Sequence, residues 1–111
     1  MWLWHRLYAD FFLRSRLDSY HSLLSDALSL EYNVHTVSSF WRYLQSDRLK
    51  KKDKYLILRH DVDTDSSTAE AQWEIEKSLH VQATYFFRLS TIDFPLMRKL
   101  AQTGCEVSYH S

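Results

Sequence analysis

The most informative part of the sequence is an apolar run that ends in a polar cluster, Tyr55-Leu-Ile-Leu-Arg-His-Asp-Val-Asp-Thr-Asp65. Its first four residues, Tyr55–Leu58, have the length and the aliphatic content of a buried parallel strand. The carboxylates of Asp61, Asp63 and Asp65 then follow the carboxyl end of that strand. In α/β proteins this is the edge of the sheet where ligands bind, because the connecting loops gather there. The stretch therefore predicts an α/β fold with a ligand site at this edge.

The polar cluster has two interpretations. Carboxylates crowded beside His60 repel one another unless a cation, a shared proton or water intervenes, so one interpretation is half of a metal-binding or acid–base site. The other is an Asp-rich turn in which Asp65 and Ser66 cap the helix that follows. The stretch alone favours the turn, because short motifs often match by chance.

The composition is that of one small globular domain. A chain of 111 residues is long enough for one domain and too short for two. Apolar residues make up 45% and charged residues 25%, which is ordinary for a soluble protein. The 14 basic and 14 acidic residues give a net charge of zero, so we expect neither a nucleic-acid partner nor a membrane partner.

Cysteine usage and the N-terminus bear on location. Cys105 is the single cysteine and cannot form an internal disulfide, so nothing indicates an oxidising compartment. Charges at Arg6 and Asp10 make the N-terminus a poor signal peptide, and no stretch reaches the ~18 apolar residues that a membrane span needs. We therefore expect a cytoplasmic protein. One glycine and one proline are few for a complete domain, which indicates either sequence drift or a chain that is only part of a domain.

Patterns typical of helices and strands alternate along the chain. Residues 1–16 are rich in aromatic side chains and fit a helix or a short strand equally well. Asp18 or Ser19 is a candidate N-cap, Pro95 suits a first helical turn, and Gly104 suits a left-handed helix end. The predicted elements are helix 18–30, strand 32–37, helix 40–45, strand 55–58, helix 66–80, strand 82–89, helix 95–102 and strand 105–109. This order indicates about four parallel strands with intervening helices, as an α/β sheet or part of a barrel.

Three pieces of the chain carry a resemblance to a known family. They are Arg59-His-Asp-Val-Asp63, Ala83-Thr-Tyr-Phe-Phe-Arg-Leu89 and Gly104-Cys-Glu-Val-Ser-Tyr-His-Ser111. Together they resemble the polysaccharide deacetylase (NodB-homology, carbohydrate esterase) family, in the branch whose first motif is His-Asp-Val-Asp. The resemblance covers residues 17–111, which would form an incomplete deacetylase-like domain after an aromatic-rich segment at 1–16. It implies the N-terminal portion of a distorted (β/α) barrel that removes acetyl groups from N-acetylated sugars with a divalent metal, often zinc.

The resemblance also implies the roles of individual residues. Asp61 matches the general base of the family, and Asp63 matches a metal ligand. His110 matches the first histidine of a His-Ser/Thr-x-x-His motif, with Ser111 in its second position, and would be a further metal ligand. The metal would acidify a bound water and polarise the acetyl carbonyl while Asp61 takes the proton.

The chain departs from the family pattern in several places. Glu31 and His80 stand where relatives commonly have glycines that end helices, which lowers stability there. The second histidine of the motif and the later strands lie beyond Ser111, so we expect an incomplete metal site and an unclosed barrel. The last strand would have an exposed edge, through which we expect self-association.

These observations lead to two functional expectations. The first is an N-terminal fragment of a metal-dependent hydrolase that acts on the C–N (amide, N-acetyl) bonds of a carbohydrate. The alternative is a catalytically inactive carbohydrate-binding or remnant module. Arg88 is expected to form an ion pair or to touch a substrate, and Cys105 to pack as a small hydrophobic residue.

Overall fold

The computed structural model describes residues 2–46 and 53–109. In this part of the chain, helices alternate with short strands. The elements are α1 (Trp2–Ser29), β1 (Tyr32–His35), α2 (Val37–Gln45), β2 (Lys54–Ile57), β3 (Arg59–Val62), α3 (Ser66–Ser78), β4 (Thr84–Phe87), α4 (Phe94–Gln102) and β5 (Glu106–Tyr109). A 3-10 turn, Leu89–Thr91, follows β4. Within the described ranges no helix is both long and apolar enough to cross a membrane.

All strand pairs in this part of the chain are parallel. β1 pairs with β2, and β3, β4 and β5 pair in that order. Leu58 joins the two groups, because its N–H donates to the carbonyl of His35 at 3.1 Å and its carbonyl accepts from the N–H of Thr84 at 2.9 Å. β2 and β3 therefore form one extended segment that runs beside β1 with its first half and beside β4 with its second.

The predicted α/β fold, with parallel strands separated by helices, is confirmed at this level. Because β2 and β3 share one extended segment, the described strands occupy the four predicted positions. Closure of this sheet into part of a barrel stays a prediction.

The strand predicted to end at Leu58 in fact continues to Val62. Arg59, His60 and Asp61 therefore lie within β3 and not beyond the end of a strand. The reason is the two-residue alternation of an extended chain, which lets Arg59 and Asp61 face outward while Val62 is buried. The strand therefore ends at Val62 and not at Leu58, and Asp63 is the first residue after it.

The N-terminal helix is longer than the sequence predicted. Helix α1 begins at Trp2 and runs unbroken to Ser29, so it includes both residues 2–16 and most of the predicted helix 18–30. Asp18 and Ser19 consequently lie inside the helix and not at its N-cap. A continuous helix is possible because no glycine or proline occurs in this stretch to end it. The helix also spans the expected boundary between residues 16 and 17.

The core lies on one face of the sheet. Helices α1, α3 and α4 contribute Leu24, Trp73 and Leu100 to it, and β4 contributes Tyr85 and Phe87. Cys105 is buried in the same cluster, as its predicted hydrophobic role requires. The opposite face carries α2, whose Val37 N–H donates to the Oγ1 of Thr84 at 2.8 Å. Asp61 lies on this second face.

The helix ends follow local chemistry. Asp65 is the N-cap of α3 and accepts from the N–H of Thr68 at 3.0 Å, so its predicted capping role is confirmed. Gly104 has a φ of 87°, as predicted for a residue that follows a helix. Glu31 and His80 also have positive φ values, 65° and 57°, at the ends of α1 and α3.

Candidate functional site

Two of the predicted site residues lie close in sequence at the carboxyl end of β3. Asp61 is the third residue of the strand, and Asp63 is the first residue after it. The Oδ1 atom of Asp61 is 3.0 Å from the Nε of Arg59, and the Oδ1 atom of Asp63 is 2.9 Å from the Nε of Arg88. Ion pairs exposed to solvent, as these are, contribute at most about 1 kcal/mol. Each carboxylate is therefore oriented by an arginine that a ligand can displace.

The two arginines differ in how firmly they are held. The guanidinium of Arg59 lies over the ring of Phe86, 4.3 Å from its centroid, so it is restrained by both the ring and Asp61. Arg88 follows β4 and forms the ion pair that was one of its two predicted roles. Among the described residues, the second oxygen of Asp61, Oδ2, has no hydrogen-bond partner and remains available to accept a proton.

A third carboxylate on this face, Glu106, is already used by the fold. It accepts from the hydroxyl of Thr84 at 2.8 Å. Burial acts to raise the pKa of Glu106, but hydrogen bonds from Ser38 and Thr84 outweigh it, so the pKa is lowered. The carboxylate of Glu106 is thus held by hydrogen bonds at the start of α2, whereas Oδ2 of Asp61 has no partner among the described residues, so Asp61 is the better candidate for proton transfer.

The described residues supply only part of the ligand set that a divalent metal needs. Among the side chains that the structure describes, in residues 16–46 and 53–109, no three of the types His, Cys, Asp or Glu form a group that could hold a metal ion. Asp63 supplies a carboxylate oxygen of the right chemistry, whereas His110 lies outside the described residues. The ligand roles of Asp63 and His110 therefore stay predictions.

A cleft of about 750 Å³ opens beside the two aspartates. Its walls come from α1 with Tyr20, from β3 and the following turn with His60, Asp61 and Asp63, and from α3 with Gln72. This volume is in the range of small-molecule binding sites, roughly 300–1,000 Å³. The cleft reaches from the outer helices to the strand end that carries Asp61.

A buried hydrogen-bond network lies behind the cleft. Glu76, on α3, is fully buried, and its Oε2 atom is 2.5 Å from both the hydroxyl of Tyr20 and the Nε2 of His60. Its Oε1 atom accepts from the hydroxyl of Tyr85. The hydroxyl of Tyr20 is also 3.2 Å from the Nε2 of His60. The network joins α1, β3, α3 and β4 at one carboxyl group.

The tyrosine hydroxyls of this network remain protonated. Burial raises the pKa of both Tyr20 and Tyr85 far above the usual range, and the neighbouring Glu76 carboxylate raises it further. Both hydroxyls therefore donate hydrogen bonds to Glu76, which satisfies a group that would otherwise be strongly unfavourable in the core.

Sequence reasoning missed Glu76 and its partners. The sequence predicts that Ala71, Ile75 and Leu79 line one face of the helix, and Ile75 and Leu79 do pack, partly buried, against the core. The buried residues of α3, however, are Ala69, Trp73 and Glu76. A signal for the glutamate was present, since it lies three residues after Trp73 on the same helical face. A glutamate at an inward position needs hydrogen-bond partners, and it is therefore a candidate for a network or a site.

Comparison of this chain with known protein families, with curated proteins and with solved structures finds no match. The function must therefore be argued from the motif residues and from the geometry around them.

Proposed function

We propose that this chain carries part of the site of a metal-dependent hydrolase that cleaves the C–N bond of an N-acetylated carbohydrate, on part of a deacetylase-type (β/α) barrel. One observation carries the proposal: Asp61 and Asp63, the two aspartates of the motif, lie at the carboxyl end of β3 on the border of a large cleft. This is the edge at which α/β proteins bind ligands.

Asp61 is the proton acceptor in this proposal. Arg59 binds one of its carboxylate oxygens, and Oδ2 has no partner among the described residues. That oxygen can accept the proton of a water molecule as the water attacks the acetyl carbonyl. The contact of Arg59 with Phe86 limits the movement of the guanidinium and so orients the carboxylate of Asp61.

Asp63 and His110 are the residues that would hold a divalent metal, with zinc the metal implied by the resemblance. A bound metal supplies a Lewis acid that polarises the acetyl carbonyl. The ion pair between Asp63 and Arg88 does not prevent binding, because an exposed pair contributes too little to compete with a metal–carboxylate bond. The remaining ligands would come from residues outside those described.

A second candidate is a module that binds the carbohydrate without hydrolysing it. The two ion pairs favour it, because the carboxylates of Asp61 and Asp63 are already compensated by arginines. Self-association through the edge of β5 also stays a proposal, since within the described residues β5 pairs only with β4.

The test is acetate release from an N-acetylglucosamine oligomer with and without added zinc, together with metal analysis of the protein. Asp61→Asn should lower turnover by about 10²–10⁴ with metal content retained, because it removes only the base. Asp63→Asn should lower metal content and turnover together, since an amide is a poorer ligand than a carboxylate. Asp26→Asn, on the exposed surface of α1, is the matched control and should change neither.

The outcomes separate the two candidates. Binding of the oligomer without acetate release in any preparation would favour the binding module. Acetate release that Asp61→Asn does not reduce would show that the proposed base is wrong. Absence of both binding and release would reject the carbohydrate as a ligand.

A further inference from the structure

His60 is held at one ring nitrogen and open at the other. Its Nε2 atom lies 2.5 Å from the Oε2 of Glu76 and 3.2 Å from the hydroxyl of Tyr20. Its Nδ1 atom has no hydrogen-bond partner among the side chains described, those of residues 16–46 and 53–109. A half-buried imidazole with one nitrogen fixed in this way presents the other nitrogen to whatever lies beside it.

The chemistry of Glu76 determines which nitrogen carries the hydrogen. Both tyrosine hydroxyls donate to the carboxylate, which is an acceptor only. If Nε2 of His60 donates to this carboxylate as well, Nδ1 of a neutral ring is left with a free lone pair. The ring is also packed against Tyr85, at 4.7 Å between centroids, and against Tyr20, at 5.5 Å. Its orientation is thus fixed before any ligand arrives.

The imidazole is accessible from the cleft. The side chain of His60 is 13% exposed, and the cleft is lined by both His60 and Asp61. Other parts of the lining are mixed: Ser19 and Gln72 offer polar groups, and Leu17 offers apolar surface. Such a mixture suits a sugar ring, which has hydroxyl groups around its edge and C–H groups on its faces.

We propose that Nδ1 of His60 accepts a hydrogen bond from a hydroxyl or acetamido N–H group of an N-acetylated sugar bound in the cleft, and that Glu76 positions the imidazole for this contact. The inference rests on the proposed function and deepens it, because it locates a sugar-binding position in the cleft that Asp61 also lines. His60 here binds the ligand, and Glu76 is a positioning residue that the sugar does not touch.

Two substitutions separate ligand binding from support of the fold. In His60→Gln the side-chain amide can reach the position of Nε2 and keep the contact with Glu76, but it has no group in place of Nδ1. Titration calorimetry with N,N′-diacetylchitobiose should show affinity reduced about three- to tenfold, the range for one lost hydrogen bond. Its unfolding free energy in urea should stay near that of the original protein. Tyr43→Phe is the control: Tyr43 lies outside both the cleft and the Glu76 network, so its loss of a hydroxyl should leave the affinity unchanged.

Nitrogen-15 NMR of the histidine rings supplies a measurement that a purely structural role would not affect. Before sugar is added, His60 should show the tautomer protonated at Nε2, and added sugar should shift the Nδ1 resonance. A ring protonated at Nδ1 in the free protein would overturn the inference whether or not the sugar binds.

The remaining outcomes also decide between the proposals. If His60→Gln binds the sugar as tightly as the original protein, the inference fails, while acetate release that depends on Asp61 would still support the proposed function. If the original protein does not bind the sugar at all, both are rejected.

Discussion

Asp65 shows how a single carboxylate serves the fold next to the candidate site. It accepts from the hydroxyl of Ser67 at 2.7 Å and from the N–H of Thr68 at 3.0 Å. The Ser67 hydroxyl has the largest effect on the pKa of Asp65 and, together with the Thr68 N–H, lowers it. Asp65→Ala should reduce the unfolding free energy by about 1 kcal/mol, the usual loss when a helix N-cap is removed. Urea unfolding at neutral pH measures it.

The same contacts predict a dependence on pH. Because the pKa of Asp65 is lower in the folded protein than in the unfolded chain, its ionisation stabilises the fold above the unfolded pKa of about 3.9. This contribution disappears as the pH falls through the lower folded pKa. Asp65→Asn should therefore lower the unfolding free energy at neutral pH and make a smaller difference in acid. An equal difference at both pH values would contradict the assignment.

Individual site residues were predictable to different degrees. Asp61 and Asp63 were identifiable because a local pattern, an apolar run followed by alternating carboxylates, shows where a strand approaches its end. Glu76 was not identified, because its partners Tyr20 and His60 are 56 and 16 residues away in the chain. Contacts between residues so far apart in the chain form only when the elements pack together. The sequence shows only that Glu76 occupies an inward position on its helix.

The ends of α1 and α3 carry a local strain that substitution can remove. Glu31 follows α1 with a φ of 65°, a conformation that is unfavourable for residues with a Cβ atom by roughly 1 kcal/mol and is free of this penalty for glycine. Glu31 is exposed, so little packing is lost with its side chain. Glu31→Gly should therefore raise the unfolding free energy by about 0.5–1 kcal/mol, and His80→Gly, with a φ of 57°, should act in the same way.

A glycine inside the same helix is the matched control. Ser22 is exposed within α1, and Ser22→Gly should lower the unfolding free energy by about 0.5 kcal/mol, because glycine is a poor helix former. Urea unfolding of the three variants compares them directly. Opposite signs are expected for positions 31 and 22. The same sign at both would mean that the left-handed conformation is not the cause.

Element types were predicted better than element boundaries. The strand at 55–58 was recognised from its apolar residues, but its continuation through Arg59–Val62 was hidden, because only one face of that half is buried. The start of α1 was hidden for the opposite reason: aromatic residues at 1–16 suit a helix and a strand alike. For β3, packing against neighbouring elements, which short-range patterns do not contain, determines the outcome.

For the molecule as a whole, the order of helices and strands was enough to predict a parallel α/β arrangement, because parallel strands need a crossover between them. It was not enough to predict which face of the sheet would carry the core. That face is the one with His60, Val62 and Tyr85, and it leaves Asp61 on the other side. Glu76 then connects the helices to the sheet at a single buried point behind the candidate site.

This connection predicts unequal effects for two tyrosines that donate to the same carboxyl group. Tyr85 is the one described donor to the Oε1 atom of Glu76, whereas the Oε2 atom has both Tyr20 and His60. Tyr85→Phe leaves a buried oxygen without a partner and should lower the unfolding free energy by about 1–3 kcal/mol. Tyr20→Phe leaves Oε2 bound to His60 and should lower it by about 0.5–1.5 kcal/mol.

Urea unfolding of both variants, with Tyr43→Phe as a control, tests the prediction. Tyr43 is half-buried, and its hydroxyl has no hydrogen-bond partner among the described residues, so its loss should change the unfolding free energy by less than about 0.5 kcal/mol. The double variant Tyr20→Phe/Tyr85→Phe should depart from additivity, because both hydroxyls act on one carboxyl group. Additive losses, or a larger loss for Tyr20→Phe than for Tyr85→Phe, would show that Glu76 does not couple the helices to the sheet in this way.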